Sequence, residues 1–297
     1  MWRPTFPVDV RTTLSPLSRG AADPTYQRAA DGSVWRTTLT PLGAASFRLT
    51  QHGLQEIRCQ AWGPGAEWVI AGIPDLLGAR DSLEGFEPRH PLLVATQARH
   101  PGLRMPRTGR VFEALVPAVL EQKVTGKQAR DAFRRLVRQF GSPAPGPVPR
   151  GMVVPPAPEV WLRVPSWDWH RAGVEPPRSR TIVAAAPLAG RLEQSVDLRP
   201  VDALARLRTV PGVGEWTAAE VAQRALGDRD VISVGDYHLS ALVGWALVGR
   251  PLDDAGMVEV LEPWRGHRQR VVRLIELSGV SKPRFGPRLT IADHRTR

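Results

Sequence analysis

Alternating apolar and polar residues within positions 1–90 predict an antiparallel β-sheet. Residues 34–40, 46–50 and 57–62 each alternate over the length of a strand, and Gly-containing turns separate these segments. Turns this short connect neighbouring antiparallel strands, and the alternation gives the sheet one apolar face. The pattern therefore predicts a meander with one buried face.

Beyond residue 110 the apolar residues recur with helical spacing. Ala129, Phe133, Leu136 and Phe140 share one helix face, and Gly141 stands where a helix would end. The same periodicity predicts further helices, at 112–122, 201–209, 216–226 and 237–248, and a last one that ends at Gly279.

The distribution of these elements predicts the domain organisation. An N-terminal α+β domain covers residues 1–100, and a helical domain with a helix-hairpin-helix at 201–226 covers residues 101–235. Seven prolines within 142–158 indicate a stiff linker rather than a core element. Residues 236–280 add C-terminal helices that complete a second lobe, and residues 281–297 form a basic tail.

The net charge of +11 favours a polyanionic partner, such as DNA, RNA or an anionic membrane surface. Only Lys123, Lys127 and Lys282 among the 40 basic residues are lysines, so a genomic bias toward Arg codons is a second source of this charge. The single cysteine, Cys59, excludes an intrachain disulfide and a four-cysteine iron–sulfur cluster. No apolar run reaches signal-peptide or membrane-spanning length, so we expect a cytoplasmic, nucleoid-associated protein without a membrane partner.

A Gly- and Pro-rich turn over residues 210–214 lies between two predicted helices. Its glycines permit φ values and close approaches that other residues resist, and the following helix adds unpaired amides and a partial positive charge. The turn is thus a candidate phosphate-binding hairpin, although a tight helix corner without a ligand is the alternative. The predicted DNA contacts are Val210, Gly212, Val213, Gly214, Thr217 and, on the loop after residue 120, Lys123.

Asp236 stands at the predicted start of the next helix, before Tyr237. Helix capping alone is the simplest role for an Asp at this place. Capping is compatible with catalysis, because an ionised carboxylate is what an oxocarbenium-like sugar requires when a glycosidic bond breaks. Asp236 is therefore the candidate catalytic residue.

The segment 207–239, with the hairpin and Asp236, resembles the helix-hairpin-helix DNA glycosylases. Other segments resemble the branch of bacterial 3-methyladenine DNA glycosylase II, so that the resemblance covers most of the chain. These segments are 61–68, like the end of that family's β domain, 100–106, like the entry to its helical part, 112–141, like its first helical layer, and Pro263-Trp264-Arg265.

This resemblance implies an α+β fold, in which an antiparallel β domain like half of a TATA-binding protein precedes a two-lobed all-α core. It implies a monomer that binds double-stranded DNA and flips an alkylated purine into the cleft between the lobes. Asp236 would then be the catalytic carboxylate. Trp216 occupies the place of the Schiff-base lysine of lyase-competent relatives, and because an indole forms no imine we expect a monofunctional enzyme. The predicted base pocket comprises Trp216, Tyr237, Gln122 and Arg273, with Trp216 and Tyr237 as aromatic faces for a cationic base.

Three positions depart from the family pattern. Lys123 stands where relatives place an apolar wedge, and its ammonium favours a phosphate. Arg273 stands where the best-known relative has a pocket aromatic residue, and Gly235 replaces a second acidic residue beside Asp236. These departures leave the substrate range open and favour an enzyme for already labile lesions.

Two alternatives to this function stay open. A non-catalytic damage-binding protein would use the hairpin only as a phosphate grip, which Lys123 and Arg273 favour. A glycosylase for oxidised purine would share the β domain, but the usual lysine is absent at Trp216. No cofactor or catalytic metal is expected. The hairpin carbonyls are a candidate site for one structural monovalent cation.

Overall fold

Four antiparallel strands form one sheet in the N-terminal part of the computed structural model, which describes residues 1–281. Each strand pairs with the next in chain order, and the three predicted strands are confirmed. The first strand escaped prediction because three residues are too few to show an alternation. The predicted basic tail lies, from residue 282 onward, outside the described residues. The strands are β1 Tyr26–Arg28, β2 Val34–Thr40, β3 Gly43–His52 and β4 Glu56–Trp62.

One face of the sheet is covered by helices α1, Val10–Leu14, and α2, Ala66–Leu76. Phe47 and Leu49 of β3 and Ile57 of β4 lie on this face and are at most 2% exposed. Their burial accounts for the strict alternation of the sequence, because a shift of one residue would turn these side chains to the other face.

The Pro-rich segment 142–158 packs against the sheet, so the prediction that it stays outside the core is wrong. It contains a two-stranded ribbon, β5 Ser142–Pro143 and β6 Val153–Val154. The carbonyl of Val153 accepts a hydrogen bond from Thr37 Oγ1 at 2.6 Å, and Val154 is fully buried. Proline removes amide donors and thereby weakens the strand signal, but it does not prevent neighbouring apolar residues from entering the core.

The helical core is built around α4, Val111–Leu120, in which every residue except Glu113 is buried. The carboxylate of Glu193 accepts hydrogen bonds from the first two amides of α4, at 2.7 and 3.1 Å, and burial raises the pKa of this carboxyl group. The other helices of this layer are α5 Gly126–Phe140, α6 Pro158–Trp161, α7 Ser166–Arg171, α8 Pro176–Ala185, α9 Ala189–Glu193, α10 Pro200–Leu207 and α11 Glu215–Val221, which continues as a π-helical turn, Ala222–Leu226.

The C-terminal helices form a second apolar cluster together with α3, a helix from the N-terminal third of the chain. Leu93 of α3 is fully buried among them, so α3 packs with the second lobe although it lies within residues 1–100. The helices are α3 Pro91–Arg99, α12 Leu239–Val248, α13 Asp254–Leu261 and α14 Arg268–Leu277.

A buried ion pair connects α14 to the loop after α2. The Arg270 guanidinium donates to Asp81, and both side chains are 2% exposed. The other Asp81 oxygen accepts a hydrogen bond from the amide of Met105 at 3.0 Å. Desolvation lowers the pKa of Arg270, and the Asp81 charge opposes this effect.

We predict that Asp81→Ala lowers the free energy of unfolding by about 3–5 kcal/mol, because it leaves the Arg270 charge buried without its partner. Arg265→Ala is the matched control, since Arg265 is 69% exposed and its ion pair with Glu262 should contribute at most about 1 kcal/mol. Urea unfolding of both variants measures the difference. Equal and small losses of unfolding free energy in both variants would show that the Arg270–Asp81 pair does not stabilise the packing of α14 against the loop after α2.

Candidate active site

The Gly- and Pro-rich segment forms a tight turn between α10 and α11. The amide of Val213 donates to the carbonyl of Val210 at 3.0 Å, and Gly212 has φ +85°, which after Pro211 corresponds to a type II turn. The side chains of Val210 and Val213 are 1% and 6% exposed and pack in the helical core. Of these two predicted DNA contacts, only the backbone can therefore reach a ligand.

At the hairpin and the start of α11, Gly212, Gly214 and Glu215 are exposed, whereas Thr217 is buried. In the described part of the chain, the amides of Gly212, Gly214 and the first three residues of α11 donate to no other protein group. Such amides, together with the helix dipole, form a site for an anion. Thr217, another predicted DNA contact, is 2% exposed, so its side chain faces the interior.

Gln122 ties the loop after α4 to the hairpin. Its Nε2 donates to the carbonyl of Gly212 at 2.9 Å and to Oγ1 of Thr217 at 2.8 Å. The neighbouring Lys123 is exposed and has φ +53°, and no other non-glycine residue within 1–281 has a positive φ. A backbone conformation that costs energy at the tip of this loop is a feature often found at functional sites.

Asp236 is held by three hydrogen bonds. Its Oδ2 accepts from Nε1 of Trp216 at 3.1 Å, and its Oδ1 accepts from the amides of His238 and Leu239 at 2.8 and 3.0 Å. The carboxylate thus caps α12, which begins at Leu239, so the predicted start at Tyr237 is two residues too early. Asp236 itself is half-buried. The N-cap residue is His238, so Asp236 stands two residues before the predicted cap position, although its carboxylate still accepts from the first amides of the helix.

A cavity of about 380 Å³ lies beside Asp236, within the range of about 300–1,000 Å³ typical of ligand pockets. One wall is α14, with Gln269 and Arg273. Another is the end of α11, with Glu220, and a third is the short turn after α1, with Ser15. Only Asp236 and Arg273 of the predicted catalytic and base-pocket residues line this cavity.

The other three predicted pocket residues lie elsewhere. Trp216 contacts Asp236 without lining the cavity, Tyr237 is 79% exposed, and the amide of Gln122 is bonded to the hairpin. Of residues 1–281, no Trp, Tyr or Phe lines the cavity. The expectation of a cavity with aromatic walls is therefore wrong for this space.

Sequence reasoning missed Gln269, Glu220 and Ser15. The spacing of Gln269 and Arg273, four residues apart on a helix, was a usable signal, because such residues share one face. Ser15 carries no local signal, since its contact with Arg273 joins positions 258 residues apart.

Residues 1–281 contain neither a group of candidate metal ligands nor a candidate membrane-spanning helix. No three His, Cys, Asp or Glu side chains are grouped there closely enough to hold a metal ion. No helix in the same range has the length and apolarity to cross a bilayer. At the hairpin, the carbonyls of Val210 and Gly212 each already accept a hydrogen bond, and a monovalent cation there stays a prediction.

Comparison with known proteins relates the chain to DNA repair enzymes. No family model matches it. A relative in Mycobacterium tuberculosis, named probable bifunctional transcriptional activator/DNA repair enzyme AlkA, is 35% identical over 153 residues, which are 50% of this chain and 30% of the relative. DNA-3-methyladenine glycosylase 2 of Escherichia coli is 28% identical over 173 residues, 57% of this chain and 59% of that enzyme. The match thus covers less than two thirds of either relative.

Structural similarity extends over nearly the whole chain. The 3-methyladenine DNA-glycosylase of Archaeoglobus fulgidus superposes with a TM-score of 0.73, covering 94% of this chain and 98% of that one at 19% identity. At this level of identity the likeness establishes the fold. The chain therefore has the fold of the 3-methyladenine DNA-glycosylase of Archaeoglobus fulgidus, and about half of it is similar in sequence to AlkA and to DNA-3-methyladenine glycosylase 2.

Proposed function

We propose that the protein is a DNA glycosylase of base excision repair that removes alkylated purines from double-stranded DNA. One observation carries this proposal: the oriented carboxylate of Asp236 lies beside a cavity large enough for a base and is bonded to the helix that follows the hairpin. A duplex gripped by the hairpin amides would place the deoxyribose of a flipped nucleotide near this carboxylate.

The hydrogen bonds of Asp236 suit it to stabilise positive charge on a sugar. A carboxylate has about four lone-pair directions, and three donors engage the oxygens of Asp236. The donors fix the plane of the carboxylate and leave capacity for the developing oxocarbenium ion. Such a preorganised charge costs no reorganisation when the glycosidic bond breaks.

The proposal also assigns roles to Trp216, to Lys123 and to the N-terminal sheet. Trp216 offers no amine for an imine, so the enzyme would release the base by hydrolysis and leave an intact abasic site. Lys123, on its exposed loop, would contact the phosphate backbone or partly fill the emptied stack. The N-terminal sheet would be the counterpart of half of a TATA-binding protein, and the enzyme would act as a monomer in the cytoplasm, at the nucleoid.

The first test of this function is the Asp236→Asn variant on methylated duplex DNA. Loss of the charge should slow base release by about a hundredfold or more, the scale of losing one preorganised electrostatic contact. Released bases are counted by chromatography under single-turnover conditions. Asp254→Asn is the control, because its carboxylate accepts from the amide of Gly235 at 3.0 Å on the same loop and does not line the cavity.

Two results would contradict the proposal. Base release by Asp236→Asn at the parent rate would remove the carboxylate from the mechanism. Tight, salt-sensitive DNA binding by the parent without base release would support the non-catalytic alternative.

The monofunctional mechanism predicts abasic DNA without strand breaks. After incubation with the parent enzyme, the product should stay intact on a denaturing gel and break only after heat or alkali. Borohydride should trap no covalent protein–DNA adduct, because no imine forms. A trapped adduct that disappears in Asp236→Asn would reveal a lyase with a different nucleophile.

The hairpin predicts different effects for its two glycines. A Cβ on Gly212 would lie 2.0 Å from Oγ1 of Thr181 at a positive φ, so Gly212→Ala should lower stability by about 1–3 kcal/mol as well as weaken DNA binding. A Cβ on Gly214 meets nothing within 4 Å, so Gly214→Ala should lose affinity and cost less than about 1 kcal/mol of stability, the preference for Gly over Ala at this N-cap position.

Thermal unfolding and fluorescence anisotropy with duplex DNA separate these two effects. Gly190→Ala, in α9, is the control, since its Cβ also meets open space and it lies outside the hairpin. Parent-level DNA affinity in both hairpin variants would argue that the backbone of this turn does not approach phosphate.

A further inference from the structure

We propose that Glu220, Gln223 and Ser233 are positioning residues, which hold the loop of Asp236 against one face of α11 and thereby place its carboxylate beside the sugar. They reach the carboxylate only through the loop, so they are not catalytic residues. This inference rests on the proposed glycosylase function and identifies the residues that position its catalytic group.

One face of α11 carries the contacts to this loop. Trp216, Glu220 and Gln223 have the spacing i, i+4 and i+7 along α11 and the π-helical turn that continues it, so they share one side of the helix. Each of them is hydrogen-bonded to the loop 227–238, Trp216 to Asp236 and the other two to Ser233. The loop is therefore held from the first turn of α11 to its end, and not at Trp216 alone.

The hydroxyl of Ser233 is the centre of these contacts. Its Oγ donates to Oε1 of Glu220 at 2.5 Å and accepts from Nε2 of Gln223 at 3.0 Å. The same Nε2 also donates to the carbonyl of Val231 at 3.1 Å. A hydroxyl has a single proton, so its donation to Glu220 turns a lone pair to Gln223. Ser233 and Gln223 are 3% and 8% exposed, so solvent competes little for these bonds.

A tight turn connects Ser233 to the carboxylate. The carbonyl of Ser233 accepts a hydrogen bond from the amide of Asp236 at 3.2 Å, and Gly235 has φ +87° at the third position of this four-residue turn. The amide of Gly235 in turn donates to the carboxylate of Asp254 at 3.0 Å. Because the turn is short and bonded on both sides, a displacement of Ser233 would be passed on to Asp236.

Glu220 connects this network to the cavity. It is paired with Arg224 at 2.8 Å, and the two side chains are 12% and 15% exposed, which keeps Glu220 available as an acceptor for Ser233. Glu220, Gln223, Ser233 and Asp236 all line the cavity. A flipped base would therefore lie against the same groups that position the carboxylate. π-Helical turns such as the one that carries Gln223 are frequent at functional sites.

A positioning role predicts a loss of rate rather than of affinity. Misplacement of a reacting group by about 1 Å can cost about a hundredfold in rate. The hairpin amides and Lys123 lie outside this network, so the grip on the duplex should remain. Removal of the network should also have little effect once Asp236 has lost its charge, because the network acts through that charge.

The test uses Gln223→Met, which removes the amide at nearly the same side-chain length, and Ser233→Ala, which removes the hydroxyl. Each is made alone and together with Asp236→Asn. Single-turnover release of bases from methylated duplex DNA gives the rate, fluorescence anisotropy gives the affinity, and urea unfolding gives the midpoint. Leu261→Ala is the control for lost stability, because Leu261 is fully buried in the second lobe and does not line the cavity.

We expect Gln223→Met and Ser233→Ala each to slow base release by about tenfold to a hundredfold and to change the affinity for DNA by less than about twofold. Combined with Asp236→Asn, each should slow release by less than about twofold further, because coupled residues are not additive. Leu261→Ala should lower the unfolding midpoint and keep the parent rate. If Ser233→Ala does not fold, Gln223→Met decides alone.

Two results would overturn the inference and keep the glycosylase. One is base release at the parent rate by both network variants, with release still dependent on Asp236. The other is a loss of rate that Leu261→Ala shares, which would assign the effect to lost stability. If Asp236→Asn already falls to the rate without enzyme, the comparison of rate with affinity and the Leu261→Ala control decide. Base release independent of Asp236 overturns the proposed function itself.

Discussion

The hydrogen bond from the indole of Trp216 to Asp236 is the contact on which the site depends. It joins the first turn of α11, directly after the hairpin, to the carboxylate that caps α12. The loop 227–238 separates the two elements. Ser233 of this loop is also bonded to Glu220 and Gln223 at the end of α11, and the contact from Trp216 is the one that orients the carboxylate itself. With it, the amides that would hold the phosphate backbone and the oxygen that would face the sugar form one rigid unit. Catalysis at a flipped nucleotide requires the phosphate-binding amides and the carboxylate to keep a fixed relative position, because a small misplacement of the reacting groups lowers the rate.

The same turn of α11 also fixes the loop that would enter the DNA. Gln122 donates to Gly212 and Thr217, so the exposed Lys123 beside it is positioned relative to the hairpin. Three functional pieces thus converge on residues 212–217. This convergence explains why Thr217, a predicted DNA contact, is buried: its hydroxyl connects the elements, and under the proposed function the surrounding backbone would contact the ligand.

Sequence patterns predicted those parts of the protein whose signal is local. The strand at 57–62 alternates because one face is buried, whereas β2, Val34–Thr40, is buried on both faces, so the predicted single buried face is wrong there. The hairpin and Asp236 are recognisable from residues that are neighbours in the chain. The Pro-rich segment was misjudged because its burial comes from contacts with the distant strand β2. Within the cavity, Arg273 was found through a resemblance, whereas Ser15 meets it only through tertiary packing. Tyr237 was predicted to line the base pocket but is exposed, because being next to Asp236 in the chain does not determine the direction in which its side chain points.

Part of the high arginine content serves the fold, and the net charge does not distinguish these arginines from those on the surface. Five arginines, residues 19, 36, 104, 178 and 270, are buried. Arg178 donates to the carbonyls of Leu120 and Gly173, at 3.0 and 3.1 Å, and so completes the C-terminal end of α4. A planar guanidinium can satisfy two carbonyls at once, which an ammonium on a flexible stem does less well. Such arginines cannot reach a phosphate, so the net charge of +11 does not by itself locate the DNA surface. Under the proposed function, that surface is better defined by the hairpin amides and by Lys123, which would approach DNA through backbone geometry and one exposed side chain.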